Sequence, residues 1–194
     1  FIKIMIILKE NVENLVEIIN ISTKQSQPMI FPTDTIYGIG ASINNIEANK
    51  KIYNIKKRPY SKPFPILAGS IEQVELIADL STLTKECYLF FKENYNNFTT
   101  FIINSKNTLN PLFQNNGKVA VRIPNKEILQ KALIKSNQLI TATSVNESGN
   151  DFLNNLQDII KSFDIVNLFI SGKQLLNQSS NIYDISEKNI IKIR

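Results

Sequence analysis

The residues best suited to chemistry are six cations between positions 46 and 62. They are accompanied by a single acid, Glu47, and the net charge of this segment equals the +5 of the whole chain. Clustered cations that follow hydroxyl groups and glycines favour a small anionic ligand such as a phosphate ester. A solvated helix end is the competing interpretation, but the neighbouring prolines and the missing acids favour an anion site. The cations are Lys50, Lys51, Lys56, Lys57, Arg58 and Lys62.

The stretch before the cations supplies the hydroxyl groups and glycines. We interpret the segment from Thr33 to Gly40 as a turn-rich loop with a flexible backbone. The six glycines of the chain form neither a Walker A loop nor a Gly-x-Gly-x-x-Gly turn. The sequence therefore lacks the nucleotide signatures that depend on glycine.

Arg122 stands among apolar neighbours in the segment VAVRI, residues 119–123. A buried arginine costs several kcal/mol unless it is paired, so it meets either an internal acid or the carboxylate or phosphate of a ligand. Both alternatives stay open. Residues 143–146 (TSVN) are typical of a capped turn when taken alone, and Ser180 and Arg194 carry almost no signal.

The absence of histidine excludes several classes of enzyme. It removes Ser-His-Asp hydrolysis, imidazole general bases and every zinc site that contains histidine. One cysteine, Cys87, excludes an internal disulfide and fits a reducing compartment. We expect no metal held by protein side chains; a metal would be a hard cation bound by oxygens, such as Mg²⁺ that arrives with a nucleotide.

We expect one α/β domain over residues 1–194, located in the cytoplasm. The chain has 194 residues, 43% hydrophobic and 20% charged, and no apolar run reaches the roughly 18 residues that span a bilayer. The opening FIKIMIIL is too short for this, and it leads into a helix. Met5 is a candidate native start, with residues 1–4 a tag remnant or an upstream extension.

Hydrophobic periodicity predicts alternating helices and strands, and strand pairs near the end favour a mixed sheet over a doubly wound one. Ser81 and Asn125 are the expected caps of two helices, and residues 104–117 form a long polar loop. The predicted helices span 10–20, 46–55, 70–79, 82–94, 125–135 and 154–162. The predicted strands span 28–31, 64–68, 98–103, 119–123, 139–142, 165–171, 181–185 and 190–193.

Four segments together resemble the YrdC/Sua5 family, the threonylcarbamoyl-AMP synthases of tRNA modification. They are PTDTIYGIGA at 32–41, Lys56-x-Arg58-Pro59 with KPFPIL at 62–67, VAVRIP at 119–124 and TSVNESG at 143–149. Any one of them is weak, but four in the right order are specific. The resemblance covers nearly the whole chain, in the short form of the family without an additional C-terminal domain.

The resemblance implies a twisted mixed sheet with flanking helices around a deep basic cavity. It implies a nucleotidyltransferase that converts L-threonine, bicarbonate and ATP, with Mg²⁺, into threonylcarbamoyl-adenylate and pyrophosphate. The adenylate would serve N6-threonylcarbamoylation of adenosine 37 in tRNA. The implied partners are the downstream tRNA threonylcarbamoyltransferase proteins and tRNA itself, with no membrane.

The resemblance also assigns residues to these roles. Catalysis would fall to Lys56, Arg58, Ser144 and Asn146. ATP would be bound by those four with Lys62 and Arg194. Lys118 stands where the family usually has Thr or Ser, and at this departure from the pattern we expect it to add a phosphate contact. L-threonine would be bound by Thr35, Leu67, Arg122, Ala142 and Ser180.

Several positions depart from the family pattern. Tyr95-Asn96-Asn97-Phe98 replaces a Trp-Pro-Gly-Pro segment ahead of a retained Thr100, and Leu67 stands where many members have histidine. These departures indicate a divergent member that keeps the chemistry. Two alternatives remain: a double-stranded RNA or tRNA-binding module without catalysis, and a carbamoyl-transfer domain of the hydrogenase-maturation type.

Overall fold

The computed structural model describes residues 4–146, 153, 155–173 and 178–194. Within these ranges the chain forms two mixed β-sheets and six α-helices, so the predicted mixed α/β class is confirmed. The helices are α1 (Val12–Gln25), α2 (Ile46–Lys56), α3 (Ile71–Val74), α4 (Lys85–Asn94), α5 (Glu127–Ser136) and α6 (Leu156–Ser162). No helix of the described part of the chain is long and apolar enough to cross a membrane.

The first sheet has five strands. In spatial order they are β1 (Ile6–Lys9), β9 (Leu168–Ser171), β2 (Met29–Pro32), β3 (Tyr37–Gly40) and β8 (Thr143–Ser144). The β1, β9 and β2 strands run parallel, and β2, β3 and β8 pair antiparallel.

Helices cover both faces of this first sheet. Ile30 of β2 belongs to the apolar cluster beneath α2 and α6, whereas its neighbours Met29 and Phe31 belong to the cluster beneath α1 and α5. Successive side chains of a strand point to opposite faces. A strand buried on both faces therefore reads as a continuous apolar run, as Met29-Ile30-Phe31 does.

The second sheet has six strands. In spatial order they are β11 (Ile191–Lys192), β10 (Asn181–Asp184), β5 (Thr99–Asn104), β6 (Lys118–Arg122), β4 (Ile66–Leu67) and β7 (Ile140–Thr141). One face packs on α3, α4 and the loop after β5, and this core contains Phe101, Phe113, Val121 and the chain's one cysteine, Cys87. Thr100 and Arg122 alternate with these residues and so lie on the opposite face.

The two sheets meet where β3 ends and β7 begins. Thr141 N donates to Ala41 O over 2.8 Å, and the Thr141 hydroxyl donates to Asn49 Oδ1 over 2.6 Å. A Cβ atom on Gly40 would lie only 1.8 Å from Thr141 O. Glycine at this position allows the two backbones to come this close.

Some sequence-based predictions of elements are wrong. Tyr37–Gly40 is a fully buried strand, where we expected a flexible loop, and Ile6–Lys9 is a strand that the periodicity did not predict. Thr84 caps α4 with a bond to Cys87 N, whereas Ser81 lies in a 3₁₀ turn. Other boundaries shift by a few residues.

The predicted helix cap at Asn125 is also wrong. Helix α5 begins after Lys126, which makes no side-chain cap bond, and the backbone N–H of Asn125 donates to Asp34 Oδ2 over 2.8 Å. Helix α2 is confirmed: it ends at Lys56, and the left-handed backbone of its C-cap, Lys57, precedes Arg58-Pro59. The predicted loop after β5 is anchored in the core by Leu109 and Phe113.

Candidate functional site

A cleft of about 250 Å³ is lined by residues of both sheets and of the loops between them. Gly38 and Ser144 come from the first sheet, and Thr100, Arg122 and Ile182 come from the second. Among its described lining residues, three are arginines and none is an acid. The predicted deep basic cavity goes further than this observation and stays a prediction.

The structure brings most of the predicted site residues into this one cleft. Eight of them line it: Thr35, Arg58, Leu67, Arg122, Ala142, Ser144, Ser180 and Arg194. The other four, Lys56, Lys62, Lys118 and Asn146, do not line it. Sequence reasoning assigned no role to lining residues such as Thr33, Tyr37, Thr143 and Ser179.

Arg122 ends strand β6 and reaches the cleft with only 7% of its surface exposed. Its Nη2 atom lies 2.6 Å from Oδ1 of Asp34, which is fully buried. The first alternative for Arg122, an internal acid, is therefore what the structure shows. The same guanidinium also lines the cleft, so a ligand anion can still reach it.

Hydroxyl groups that line the cleft are paired with one another. Thr33 and Thr35 lie 3.0 Å apart through their Oγ1 atoms, and Arg122 Nη1 donates to Thr35 over 3.1 Å. In a second pair, Thr100 Oγ1 and Ser180 Oγ lie 2.9 Å apart. These bonds fix the directions in which the hydroxyl groups can meet a ligand.

Arg58 and Arg194 supply two further guanidinium groups. Arg58 Nε donates to Lys62 O over 2.7 Å, and its guanidinium carbon lies 5.0 Å from the centre of the Phe64 ring. Arg194 Nε donates to Ser180 O over 3.1 Å. Burial lowers the pKa of both side chains, and for Arg194 the nearby charge of Arg122 lowers it further. An anion in the cleft would relieve both penalties.

Lys56 lies beneath the strand end that carries Ser144. Its Nζ atom donates to Ser144 O, Asn146 O and Asn146 Oδ1 at 2.7, 2.6 and 2.5 Å. Burial, with a smaller contribution from the charge of Arg58, lowers the pKa of Lys56 to about 8. Lys56 therefore holds the 144–146 turn, and the predicted contact with phosphate remains a prediction.

Two predicted phosphate ligands have other surroundings. The Lys62 side chain is exposed, and it is the Lys62 carbonyl oxygen that accepts from Arg58. Lys118 Nζ lies 3.5 Å from Asp184 Oδ2 and 3.2 Å from Glu187 Oε1. These positions give neither lysine a contact with the cleft.

The described residues contain no group of three or more His, Cys, Asp and Glu side chains that could hold a metal ion. Two neutral side-chain oxygens lie close together here, since Ser144 Oγ donates to Asn146 Oδ1 over 2.7 Å. Oxygen is the donor that Mg²⁺ prefers. However, Lys56 already donates to the Asn146 oxygen. This arrangement fits Mg²⁺ only as part of a nucleotide complex, with most of its ligands from phosphate and water.

Sequence reasoning missed the acid that pairs with Arg122. Asp34 stands between two threonines of the PTDT segment, and its side chain was not given a role. A usable signal existed, since a buried arginine needs an acid and Asp34 lies in a segment that is otherwise apolar or hydroxyl-bearing. Residues 147–149 of the TSVNESG segment lie outside the described residues.

Comparison with known sequences identifies one family. A model named for Sua5, YciO and YrdC, and described as "Telomere recombination", matches residues 22–194. The threonylcarbamoyl-AMP synthase of Psychromonas ingrahamii is 31% identical over 141 residues, which is 72% of this chain and 74% of that protein. A Methanocaldococcus jannaschii protein that carries this name provisionally is 29% identical over 197 residues, 100% of this chain and 91% of its own length.

Comparison with solved structures also finds members of this family. Sua5 of P. abyssi in complex with L-threonine superposes with a TM-score of 0.85 at 26% identity, over 99% of this chain and 57% of that one. This chain thus spans a little over half the length of that protein. E. coli YciO superposes with a TM-score of 0.84 at 17% identity, over 97% of this chain and 93% of that one, and this shows the fold alone.

Proposed function

The chain belongs to the Sua5/YciO/YrdC family, and from this premise we propose that it is an L-threonylcarbamoyladenylate synthase. The reaction makes threonylcarbamoyl-AMP and pyrophosphate from L-threonine, bicarbonate and ATP. One observation carries the proposal: three arginines converge with paired hydroxyl groups on a cleft that has no acid among its described lining residues. Relatives of similar length carry the name of this activity, and the P. abyssi relative binds L-threonine.

The chemistry suits residues that bind and orient. The amine of threonine attacks bicarbonate, which loses water and leaves a carbamate. A carbamate oxygen then attacks the α-phosphorus of ATP, and the bond to the β-phosphate breaks with release of pyrophosphate. Threonine carries a carboxylate, and bicarbonate and ATP are anions, so catalysis needs positioning and charge neutralisation more than a proton-transfer residue.

Roles for the lining residues follow from their chemistry. Arg122 would bind the carboxylate of threonine, with Thr35 and Ser180 close to the rest of the amino acid. Arg58 and Arg194 would bind the triphosphate, and Mg²⁺ would enter as part of the ATP complex. The arginines would neutralise the charge that develops on pyrophosphate as it leaves.

The proposal also covers the use of the adenylate product in the cell. The adenylate is a labile mixed anhydride, so a downstream tRNA threonylcarbamoyltransferase would consume it to modify tRNA. A cytoplasmic location belongs to the same proposal. The cleft favours small ligands over nucleic acid, because its three arginines line a volume of about 250 Å³.

The direct test uses ATP labelled in the γ-phosphate, with threonine, bicarbonate and Mg²⁺. We expect labelled pyrophosphate to form only when threonine is present. Absence of threonine-dependent pyrophosphate under conditions where a relative is active would refute the proposal. RNA binding that weakens steeply with salt and needs no threonine would favour the nucleic-acid alternative.

Two substitutions test the roles of the cations Arg58 and Lys56. Arg58→Ala removes a lining guanidinium, and Lys56→Ala removes the ammonium group that holds the 144–146 turn. We expect each to abolish turnover, with a circular dichroism spectrum like that of the wild type. Full activity in both variants would contradict their roles.

A further inference from the structure

Asp34 lies directly behind the cleft and does not line it. The side chain is fully buried, and both carboxylate oxygens are engaged. Oδ1 accepts from Arg122 Nη2 over 2.6 Å, and Oδ2 accepts from the backbone N–H of Asn125 over 2.8 Å. Asp34 therefore has no oxygen directed at a substrate, and it acts on the cleft only through Arg122.

The Arg122 guanidinium is held by two hydrogen bonds and also lines the cleft. Nη2 is bound to Asp34, and Nη1 donates to Thr35 Oγ1 over 3.1 Å. Nε is buried and has no hydrogen-bond partner among the described residues. A guanidinium has five N–H donors, and Nη1 and Nη2 each carry a second N–H besides the one that these bonds use. A carboxylate in the cleft would supply an acceptor for this lining side chain.

The same bonds leave the Thr35 hydroxyl able to meet a ligand. Thr33 Oγ1 donates its one proton to Ile36 O over 2.7 Å, and it accepts from the backbone N–H groups of Thr35 and Ile36 over 3.1 and 3.2 Å. Both acceptor sites of Thr33 Oγ1 are therefore engaged, while Thr35 Oγ1 accepts from Arg122. A hydroxyl has one donor and two acceptor sites. Thr35 therefore keeps its proton and one acceptor site for a ligand.

We propose that Asp34 is the positioning residue of an amino-acid receptor formed by Arg122 and Thr35. It orients Arg122 so that the free N–H groups bind the carboxylate, while Thr35 accepts from the amine of the same amino acid. This inference rests on the proposed function and names the residue that prepares its amino-acid site. Under this proposal, recognition of the amino acid depends on Asp34, and recognition of ATP does not.

The test is the Asp34→Asn variant in steady-state pyrophosphate release. Asparagine keeps the shape of the side chain but removes its charge and turns one acceptor into a donor that opposes Arg122 or the Asn125 amide. We expect the KM for L-threonine to rise about 10- to 100-fold, since small displacements of a positioning group have effects of this size. The KM for ATP should stay within about twofold of the wild type.

A matched control removes another buried polar bond away from the cleft. Ser42 is 1% exposed, and its hydroxyl donates to Gln138 Oε1. Ser42→Ala should leave both KM values unchanged, even if it lowers the unfolding temperature as much as Asp34→Asn does. An unchanged threonine KM in Asp34→Asn, or an equal rise in both KM values, would overturn the inference.

A measurement on the wild-type protein decides the matter if the variant does not fold or the wild type proves inactive. The ¹⁵N resonance of Arg122 Nε, assigned by its loss in Arg122→Lys, should shift on titration with L-threonine and stay in place on titration with ATP. A resonance that ignores threonine overturns the inference whatever the activity. Threonine binding without pyrophosphate release would refute the proposed function alone.

Discussion

Buried cations dominate this protein at the scale of single residues. Lys56 is 3% exposed and is surrounded by oxygen atoms of the 144–146 turn. Burial disfavours its charged form, which is why its pKa falls to about 8. The Lys56 ammonium group thus holds the 144–146 turn through hydrogen bonds, although burial makes its charged form less stable than it would be in water.

The Lys56 charge predicts a particular dependence of stability on pH. Its pKa is about 8 in the folded state and 10.5 ordinarily, so between these values the unfolded state binds more protons. The free energy of unfolding therefore gains a contribution that rises with pH across this window, by at most about 3 kcal/mol. Urea unfolding of the wild type and of Lys56→Met at pH 7 to 10 measures this contribution. We expect the free energy of unfolding of the wild type, relative to that of the variant, to rise with pH.

A surface lysine provides the control for this measurement. Lys92 is exposed on α4, and Lys92→Met should follow the wild-type curve. Tyr37 and Tyr53 have pKa values raised by burial, and they contribute an opposite slope at high pH that all three proteins share. A constant difference between wild type and Lys56→Met would contradict the lowered pKa.

Arg58 and Lys62 should differ sharply in their effect on activity. Arg58→Lys loses the Nε bond to Lys62 O and the contact over Phe64, so we expect kcat/KM for ATP to fall about 10- to 100-fold. Lys62→Ala keeps the carbonyl oxygen that Arg58 uses. It should change kcat/KM by less than about threefold, and less still at high salt. Equal losses in the two variants would show that the Lys62 side chain binds phosphate directly.

At the scale of elements, the contact between β3 and β7 determines how the two sheets are placed. Gly40 makes it possible, since a side chain there would meet the Thr141 backbone. The segment after Gly40 continues into the second sheet, where Ser42 forms a bridge with Ile140. Three consecutive residues, Gly40 to Ser42, therefore connect the two sheets that form the walls of the cleft.

Gly40→Ala should be severely destabilising for this reason. Its Cβ would lie 1.8 Å from a backbone oxygen, and backbone cannot move aside as a side chain can. We expect the free energy of unfolding to fall by more than about 3 kcal/mol, measured by urea denaturation. Gly38→Ala is the control, because its nearest atom is a Thr33 methyl carbon at 3.3 Å. Similar losses in the two variants would contradict the close approach of the sheets.

The elements that the sequence predicted well carry their own local signals. Helix α2 has Asn45 as N-cap and ends before Arg58-Pro59, and β2 is a continuous apolar run. Strand β3 was misread because glycines and a preceding PTDT segment are typical of turns, whereas its burial comes from the strands on either side. Pairing between distant strands leaves no mark on local composition.

The candidate site could be predicted in part for a related reason. Eight of the assigned residues line one cleft, since the family motifs mark positions along the chain that the fold brings together. The partner of Arg122 could not be chosen from the sequence. Asp34 is 88 residues away, and only the placement of β6 beside the PTDT segment joins them.

At the scale of the whole molecule, the cleft is shared by two sheets, so its ligands should stabilise both. We expect L-threonine or MgATP at 100 times its Kd to add about 2.7 kcal/mol to the free energy of unfolding, or about 5 to 10 °C. Differential scanning calorimetry measures this, with L-valine as a control ligand that lacks the hydroxyl group. A single transition would also test the prediction of one domain. Unchanged unfolding temperatures would contradict binding in the cleft.

Cys87 has a practical consequence for spectroscopy. It is the chain's one thiol, and it is fully buried in the core of the second sheet. Maleimide probes should therefore leave the folded wild type unlabelled, and a cysteine introduced at an exposed position would carry the dye or spin label alone. Labels on opposite walls of the cleft would then report its width in solution, with and without substrates, free of background signal.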